Sequence, residues 1–247
     1  MKHKTTYKPF GDAAILVAWD AKISVSISVS ISDDILRFRQ KIIALKDSNI
    51  ADVIVGYSSL TVVFKNSRID YLSAVKNLKE TYNSEYQDFK KTPIIWEIPV
   101  CYDLEFGIDL QEMSKKANLE VSEIIKLHSQ KRYRVYFIGF LPGFLYLGGL
   151  HKQLFFERKA NPRLNVPKGA VAIGGEQTGV YPAESAGGWN IIGKTPVNFF
   201  NINEHTPCFA KAGDFIKFVP IDKDQFIQIE KEVKDTSYKI SKTLYNA

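Results

Sequence analysis

Cysteine is almost absent from this 247-residue chain, which carries Cys101 and Cys208 and no other. Two thiols cannot build the disulfide framework of a small secreted fold, and they lack the paired spacing of a structural zinc site, so a reducing compartment fits best. Histidine is scarce as well. His3, His128, His151 and His205 are widely separated, and no His-Glu-x-x-His or related metal spacing occurs. No apolar run approaches the roughly 18 residues of a membrane-spanning helix. The N-terminus, Met1-Lys2-His3-Lys4-Thr5, leads into Pro9, Phe10, Gly11 and Asp12 instead of the apolar core of a signal peptide. The expectation is a cytoplasmic protein with no membrane segment and no resident metal.

What is present is an ordinary globular composition, 45% hydrophobic and 24% charged, with a formal charge of +6 from 33 basic and 27 acidic residues. That excess is too small to argue for nucleic acid by itself, and no nucleic-acid motif accompanies it. The length accommodates two domains of about 100–150 residues each.

The first part of the chain alternates strand-like and helix-like segments. Residues 13–19 form an apolar run, and Ile23, Val25, Ile27, Val29 and Ile31 alternate with polar residues as a half-buried strand requires. Ser32 then reads as a helix cap, with Asp33 and Asp34 in the first turn and Ile35, Leu36, Ile42, Ile43 and Leu45 as the apolar face. Residues 52–57 and 60–65 predict a strand pair, residues 69–82 a helix buried through Leu72, Val75 and Leu78, and residues 94–100 another strand. The order β, α, β, β, α, β is that of a ferredoxin-like α+β unit.

The remainder changes character. Residues 109–117 and 121–129 have helical patterns, with Asp109 and Ser122 as cap residues. Short apolar runs at 133–138, 170–173, 189–192, 197–200 and 215–219, punctuated by Gly and Pro, predict a β-barrel or sandwich. Residues 222–233 read as a closing helix, and the Lys-rich end beyond it as a fraying tail. The boundary falls near residue 93, giving domains 1–92 and 93–247.

Gly188-Trp189-Asn190-Ile191-Ile192-Gly193-Lys194-Thr195 satisfies the G-x-x-x-x-G-K-[ST] pattern of a phosphate-binding loop. Its interior is that of a buried strand, and Pro196 biases Thr195 away from helical geometry, so the match lacks the required context. The glycine-rich runs at 139–149 and 174–179, taken alone, read as tight turns. Their company argues for a pocket: Phe140, Phe144, Tyr146, Tyr181 and Trp189 supply walls, and Arg163, Gln177, Thr178 and Lys194 supply groups that orient a small polar ligand. His128 ends a helical pattern, where a histidine reads as a helix-terminal or packing residue before it reads as a catalyst. From Lys126 to Lys168, nine basic residues face one acidic residue, Glu157, a local balance of +8 that exceeds that of the whole chain. A solvated face, an anionic ligand and an acidic partner surface all fit that charge.

The ordered motifs Gly139-Phe140-Leu141-Pro142-Gly143-Phe144-Leu145-Tyr146-Leu147, Pro162-Arg163, Val166-Pro167-Lys168-Gly169-Ala170, Gln177-Thr178-Gly179-Val180-Tyr181-Pro182 and Gly187-Gly188-Trp189 through Pro196 resemble the family of the 5-oxoprolinase B subunit. That family also includes allophanate hydrolase subunit 1 and the Bacillus sporulation kinase inhibitor KipI. The resemblance extends upstream through Gly11-Asp12, Ile98-Pro99-Val100, Asp109-Leu110 and His128, and downstream to Gly213-Asp214. The sequence departs from the family pattern at Leu145, Lys168, Ala170, Gly174, Ala186 and Phe200.

The resemblance implies a small α+β domain followed by a cyclophilin-like β-barrel, working with a homologous C-type subunit, with a third, A-type subunit, and inactive alone. It implies an amide-ring hydrolase activity that opens the lactam of 5-oxo-L-proline to L-glutamate. ATP, with Mg2+, is the implied co-substrate, at a site that can be shared with a partner subunit. An allophanate hydrolase-like amide-cleaving component and a KipI-like inhibitor of a sensor histidine kinase are the alternatives. In the lactam reading, Arg163 and Lys194 contact anionic oxygens and Gln177 and Thr178 orient the ring. Phe140, Tyr146, Tyr181 and Trp189 wall the site, and His128 donates or carries a proton.

Overall fold

A computed structural model describes residues 3–20, 29–66, 68–85 and 92–245. The chain divides into two compact units, Met1–Lys91 and Thr92–Ala247.

In the first unit, β1 (Thr5–Pro9), β2 (Ala14–Trp19), β3 (Ile50–Val55) and β4 (Ser59–Phe64) form an antiparallel sheet in the order β1-β2-β4-β3, accompanied by α1 (Val29–Ala44) and α2 (Tyr71–Asn83). Two expectations fail here for the same reason. Ile23, Val25 and Ile27 lie outside the described residues, but Val29 and Ile31 belong to the first turn of α1 rather than to a strand. Ile31, Ile35, Phe38 and Ile42 recur at helical spacing and bury one face, and this period overrides the two-residue alternation before it. Ser32 is therefore buried inside the helix rather than standing before its first turn. Likewise, α2 buries Leu78 and Tyr82 and packs Tyr71, Ala74 and Val75 alongside them, which turns Leu72 out to 78% exposure. Asp34 accepts hydrogen bonds from the Trp19 indole, at 2.8 Å, and from the Tyr82 hydroxyl, so its buried carboxylate is satisfied.

The strand expected to complete this sheet, β5 (Ile94–Cys101), instead lies in the second unit, and β1 takes the position beside β2. The second unit continues with α3 (Leu110–Ala117), α4 (Val121–Ser129), β6 (Arg132–Ile138), β7 (Leu145–Gly148), a 3-10 turn (Lys152–Leu154) and β8 (Arg163–Val166). After these come β9 (Ala170–Gly174), β10 (Gln177–Val180), β11 (Ser185–Gly187), β12 (Asn190–Lys194), β13 (Phe215–Ile221), α5 (Lys223–Lys234) and β14 (Ser241–Leu244). Seven strands close a barrel in the order β12-β9-β10-β7-β6-β13-β5, with β5 pairing back to β12, while β8 and β11 form a separate ribbon. Of the barrel and the sandwich that the apolar runs allow, the chain forms the barrel.

Three local readings are corrected. Residues 197–200 form no strand, although Val197 and Phe199 are buried in the barrel core. Glu120, not Ser122, occupies the N-cap of α4. The Lys-rich tail is ordered: β14 pairs antiparallel with β5, and the Tyr245 ring stacks on Phe215 at 4.3 Å.

The barrel interior is filled by Ile98, Val100, Tyr133, Val135, Leu145, Leu147, Val171, Ile173, Val180, Ile192, Ile216 and Phe218, and α4 contributes Ile124 to the same cluster. Leu145, one departure from the family pattern, is one of these filling residues. A smaller cluster forms on the other side of the wall from Phe144, Val166, Ala170, Ala172, Tyr181, Trp189 and Ile191.

Candidate functional site

Strand alternation sorts the predicted site residues onto two sides of the barrel wall. Along β9, Val171 and Ile173 face the interior while Ala170 and Ala172 face outward beneath the smaller cluster. Along β7, Leu145 and Leu147 face inward and Tyr146 outward. On β10, Thr178 is fully buried on the inner side, so its neighbour Gln177, half-exposed, belongs to the outer face. The Gln177-Thr178 pair, expected to orient a ligand as one element, is thus split by the wall.

The outer face is an aromatic surface. Phe144 lies at its centre, with ring centroids 5.0 Å from Tyr146, 5.4 Å from Tyr181 and 5.5 Å from both Trp189 and Phe140. Most of these contacts are edge-to-face, the arrangement the ring quadrupoles favour. A shift in register between β6 and β7 brings Phe137 opposite Tyr146, and the two rings stack at 4.2 Å. Missing side chains make room for the rings. A Cβ on Gly174 would sit 2.5 Å from the Trp189 indole, and one on Gly187 would sit 2.2 Å from the Tyr181 hydroxyl oxygen. Phe140 is 61% exposed and has φ of 65°, an uncommon conformation for a bulky residue. Burial raises the hydroxyls of Tyr146 and Tyr181 above the ordinary phenol range, outweighing the nearby charge of Arg158 in both. Both are therefore neutral hydrogen-bonding groups at physiological pH.

Cations rim this surface. The exposed Arg158 guanidinium lies over the Trp189 ring, 5.7 Å from its centroid. Arg163, at the start of β8, donates from Nη2 to Asp109 Oδ1 at 2.7 Å, whereas its Nη1 is buried without a hydrogen-bond partner among the described residues. Asp109 occupies the expected cap position of α3, but its side chain makes no capping bond. Its Oδ2 accepts from the Ile191 backbone N–H at 2.7 Å, and its Oδ1 is also 2.9 Å from Lys159 Nζ. Lys159 reaches on to Glu112, which Lys116 binds at 2.6 Å. Lys116 and then Lys159 hold the Glu112 carboxyl down to about 2. Part of the excess positive charge between residues 126 and 168 is thus absorbed by acidic partners from α3 and its cap. Asp109, Lys159 and Arg158 are site residues that the sequence does not single out as such, and the basic run is the signal that contains two of them.

Two predicted catalytic residues lie elsewhere. His128 is fully buried inside the barrel, where its ring stacks on Phe218 with centroids 4.7 Å apart. Thr178 Oγ1 donates to the Ala172 carbonyl at 3.0 Å, so its contact with His128 Nε2 at 2.9 Å assigns the proton to Nε2. Nδ1 then accepts from the Tyr102 hydroxyl at 2.8 Å. Burial pushes the imidazole down to about 3, and it is neutral and fully paired. The Lys194 ammonium is 5.6 Å from the ring centroids of both Phe106 and Phe226, joining β12 to the first turn of α5. The Gly188–Thr195 segment that matches a phosphate-loop pattern contains β12 and no helix. The structure brings together Phe140, Tyr146, Tyr181, Trp189 and Arg163, and separates Thr178, His128 and Lys194 from them.

Comparison with known proteins identifies the chain that carries this arrangement. Residues 5–210 match the family model of the carboxyltransferase domain, subdomain C and D. The 5-oxoprolinase B subunit of Bacillus subtilis is 38% identical over 191 residues, covering 73% of this chain and 80% of that protein. The Escherichia coli O157:H7 protein of the same name is 34% identical over 210 residues, covering 85% and 93%. Among solved structures, that of TTHA0988 superposes with a TM-score of 0.72 at 29% identity, over 85% of this chain and 40% of the other. With both relatives matched over most of their length, the chain belongs to the 5-oxoprolinase B-subunit family.

Proposed function

We propose that this chain is the B subunit of an ATP-dependent 5-oxoprolinase, acting with a homologous C-type subunit, with a third, A-type subunit, and inactive without them. The observation that carries the reading is the outer barrel face, where a wall of Phe144, Tyr146, Tyr181 and Trp189 is bordered by Arg158 and Arg163. A lactam acid has a flat apolar ring, an amide and a carboxylate, and each matches a part of this surface. In this reading the small unit is ferredoxin-like, with β1 in place of a terminal fourth strand, and the barrel is cyclophilin-like.

A lactam is a poor electrophile. Transfer of the γ-phosphoryl group of ATP to its carbonyl oxygen, with release of ADP, creates a leaving group. Water then adds at that carbon, and the ring C–N bond breaks with the amine leaving as the protonated nitrogen to give a γ-glutamyl phosphate. A second water cleaves that acyl phosphate to glutamate and inorganic phosphate. Mg2+ accompanies the nucleotide, whose site is shared with a partner subunit. On this chain the outer aromatic wall holds the ring, Gln177 and the tyrosine hydroxyls orient its amide, and the guanidinium groups balance its negative charge. Thr178, His128 and Lys194 take no part, because their polar groups are engaged on the inner face or against α5.

The decisive experiment is ATP-dependent glutamate release from 5-oxoproline by the reconstituted complex, with and without this chain. No release from the complete mixture overturns the function. Arg163→Ala and Gln177→Ala are each expected to lower turnover at least tenfold. Unchanged turnover by a folded variant removes that residue from the site.

A further inference from the structure

We infer that Arg158 and Arg163 form a carboxylate-binding subsite on either side of the Gly187-Gly188-Trp189 run, which selects ring ligands that carry an acid group. The inference rests on the proposed function and assigns the substrate's charged end to a place on the wall.

The backbone sets the two guanidinium groups around one short segment. Arg163 pairs in register with Gly187 across the β8–β11 ribbon, and the next residue but one, Trp189, lies beneath the Arg158 guanidinium. The chain beside Arg158 is fastened to the same run, because the Lys159 backbone N–H donates to the Gly188 carbonyl at 2.7 Å. Asn190 fixes it from the other end, donating from Nδ2 to the Glu157 carbonyl at 3.0 Å. The Tyr181 hydroxyl sits against Gly187, in the space a side chain there would occupy.

The two cations are not equivalent, and the difference points to a ligand. Asp109 absorbs one face of Arg163 through Nη2 and leaves Nη1 as a buried donor without an acceptor among the described residues. A buried guanidinium N–H with no partner is costly, and native proteins satisfy such groups with a water, an ion or a ligand oxygen. Arg158 makes no ion pair with a carboxylate among the described residues, and the side chain is exposed with its guanidinium over the Trp189 ring, so its N–H donors are open to a ligand. Two forked donors beside an aromatic wall suit a planar carboxylate attached to a ring: the acid oxygens take the charge-assisted hydrogen bonds, and the ring covers the aromatic surface. Asp109 is the positioning residue, since its bonds to Arg163 and to the Ile191 backbone hold the guanidinium at that place.

The test compares 5-oxoproline with 2-pyrrolidinone, the same lactam without the acid, in the complete complex. The wild type is expected to favour 5-oxoproline in kcat/KM. Arg158→Gln, with its fold verified by circular dichroism, should reduce that preference about tenfold through KM, the effect of losing one hydrogen bond to a charged group. Arg163→Lys, which keeps the charge but loses the fork, should reduce it by a similar factor. A preference unchanged in both folded variants overturns the subsite while leaving the 5-oxoprolinase reading intact. If the wild-type complex turns over neither compound, the function falls and calorimetric binding decides the subsite separately. Saturable binding of 5-oxoproline but not 2-pyrrolidinone, weakened about tenfold by Arg158→Gln, supports it; equal binding of both, or of neither, overturns it.

Discussion

The inner and outer faces of the barrel wall are built from the same strands and bury polar groups in opposite ways. Inside, His128, Tyr102 and Thr178 form a neutral chain in which each hydrogen bond has an assigned donor and acceptor. Outside, Asp109 neutralises Lys159 and one side of Arg163, but among the described residues Arg158 and Arg163 Nη1 have no acidic partner of their own. A sealed network with every group satisfied stabilises and positions a fold, whereas donors left without acceptors beside an accessible aromatic surface are suited to a ligand. Residue type alone does not separate the two. Histidine, threonine and lysine look more catalytic on paper than an arginine over an indole ring does.

Breaking the outer face at its buried charge should have the largest effect on stability. Asp109→Ala leaves Arg163 uncompensated, takes from Lys159 one of its two acidic partners, and strips the Ile191 N–H of its acceptor. Both cations keep some access to water, so the expected cost is about 3 kcal/mol, at the low end for a broken buried pair. Chemical denaturation measures it, and a loss below about 1 kcal/mol would mean that the cluster behaves as a surface ion pair.

The inner face is probed by pH. The folded pKa of His128, about 3, lies below the ordinary 6.5, so the unfolded state binds the proton first as pH falls. This residue's contribution is complete above about pH 6.5 and is lost progressively below it, amounting to about 2 kcal/mol between pH 7.5 and 5.0. His128→Gln should lack that component when denaturation is compared at the two pH values. An identical pH dependence in the variant would show that the imidazole is not held neutral in the folded barrel. The smallest change is expected at Lys194, which belongs to neither polar network. Lys194→Ala removes its contacts with Phe106 and Phe226 and should cost about 1 kcal/mol. Turnover of the complex should stay within twofold of wild type, and a much larger loss would return this lysine to the site.

Four barrel strands are legible in the sequence and coincide with predicted segments, β9 and β12 because their runs are buried almost throughout, β6 and β13 because alternate residues are buried. The strands β8, β10 and β11 are not, since they are three or four residues long and too short for any period to register. The aromatic members of the site are visible as types, and their convergence follows from glycines whose absent side chains seat the rings. Asp109 is legible only as a helix cap, since its partner Arg163 is 54 residues away and no local pattern announces such a pair. Thr178 is misplaced because adjacent residues on a strand face opposite ways, and a motif written as a string of letters carries no sidedness.

One topological detail bears on time rather than energy. Six of the barrel's seven closing contacts are antiparallel, but β5, its first strand, lies parallel to β13, with Ile98 opposite Phe218. The wall therefore cannot close as the chain leaves the ribosome. The first unit has all its described strands and helices by Asn83, whereas β5 waits for β12, whose Lys194 lies opposite Cys101, and then for β13, more than a hundred residues downstream. Throughout that interval its apolar edge is unpaired, which makes β5 the segment most in need of protection during synthesis.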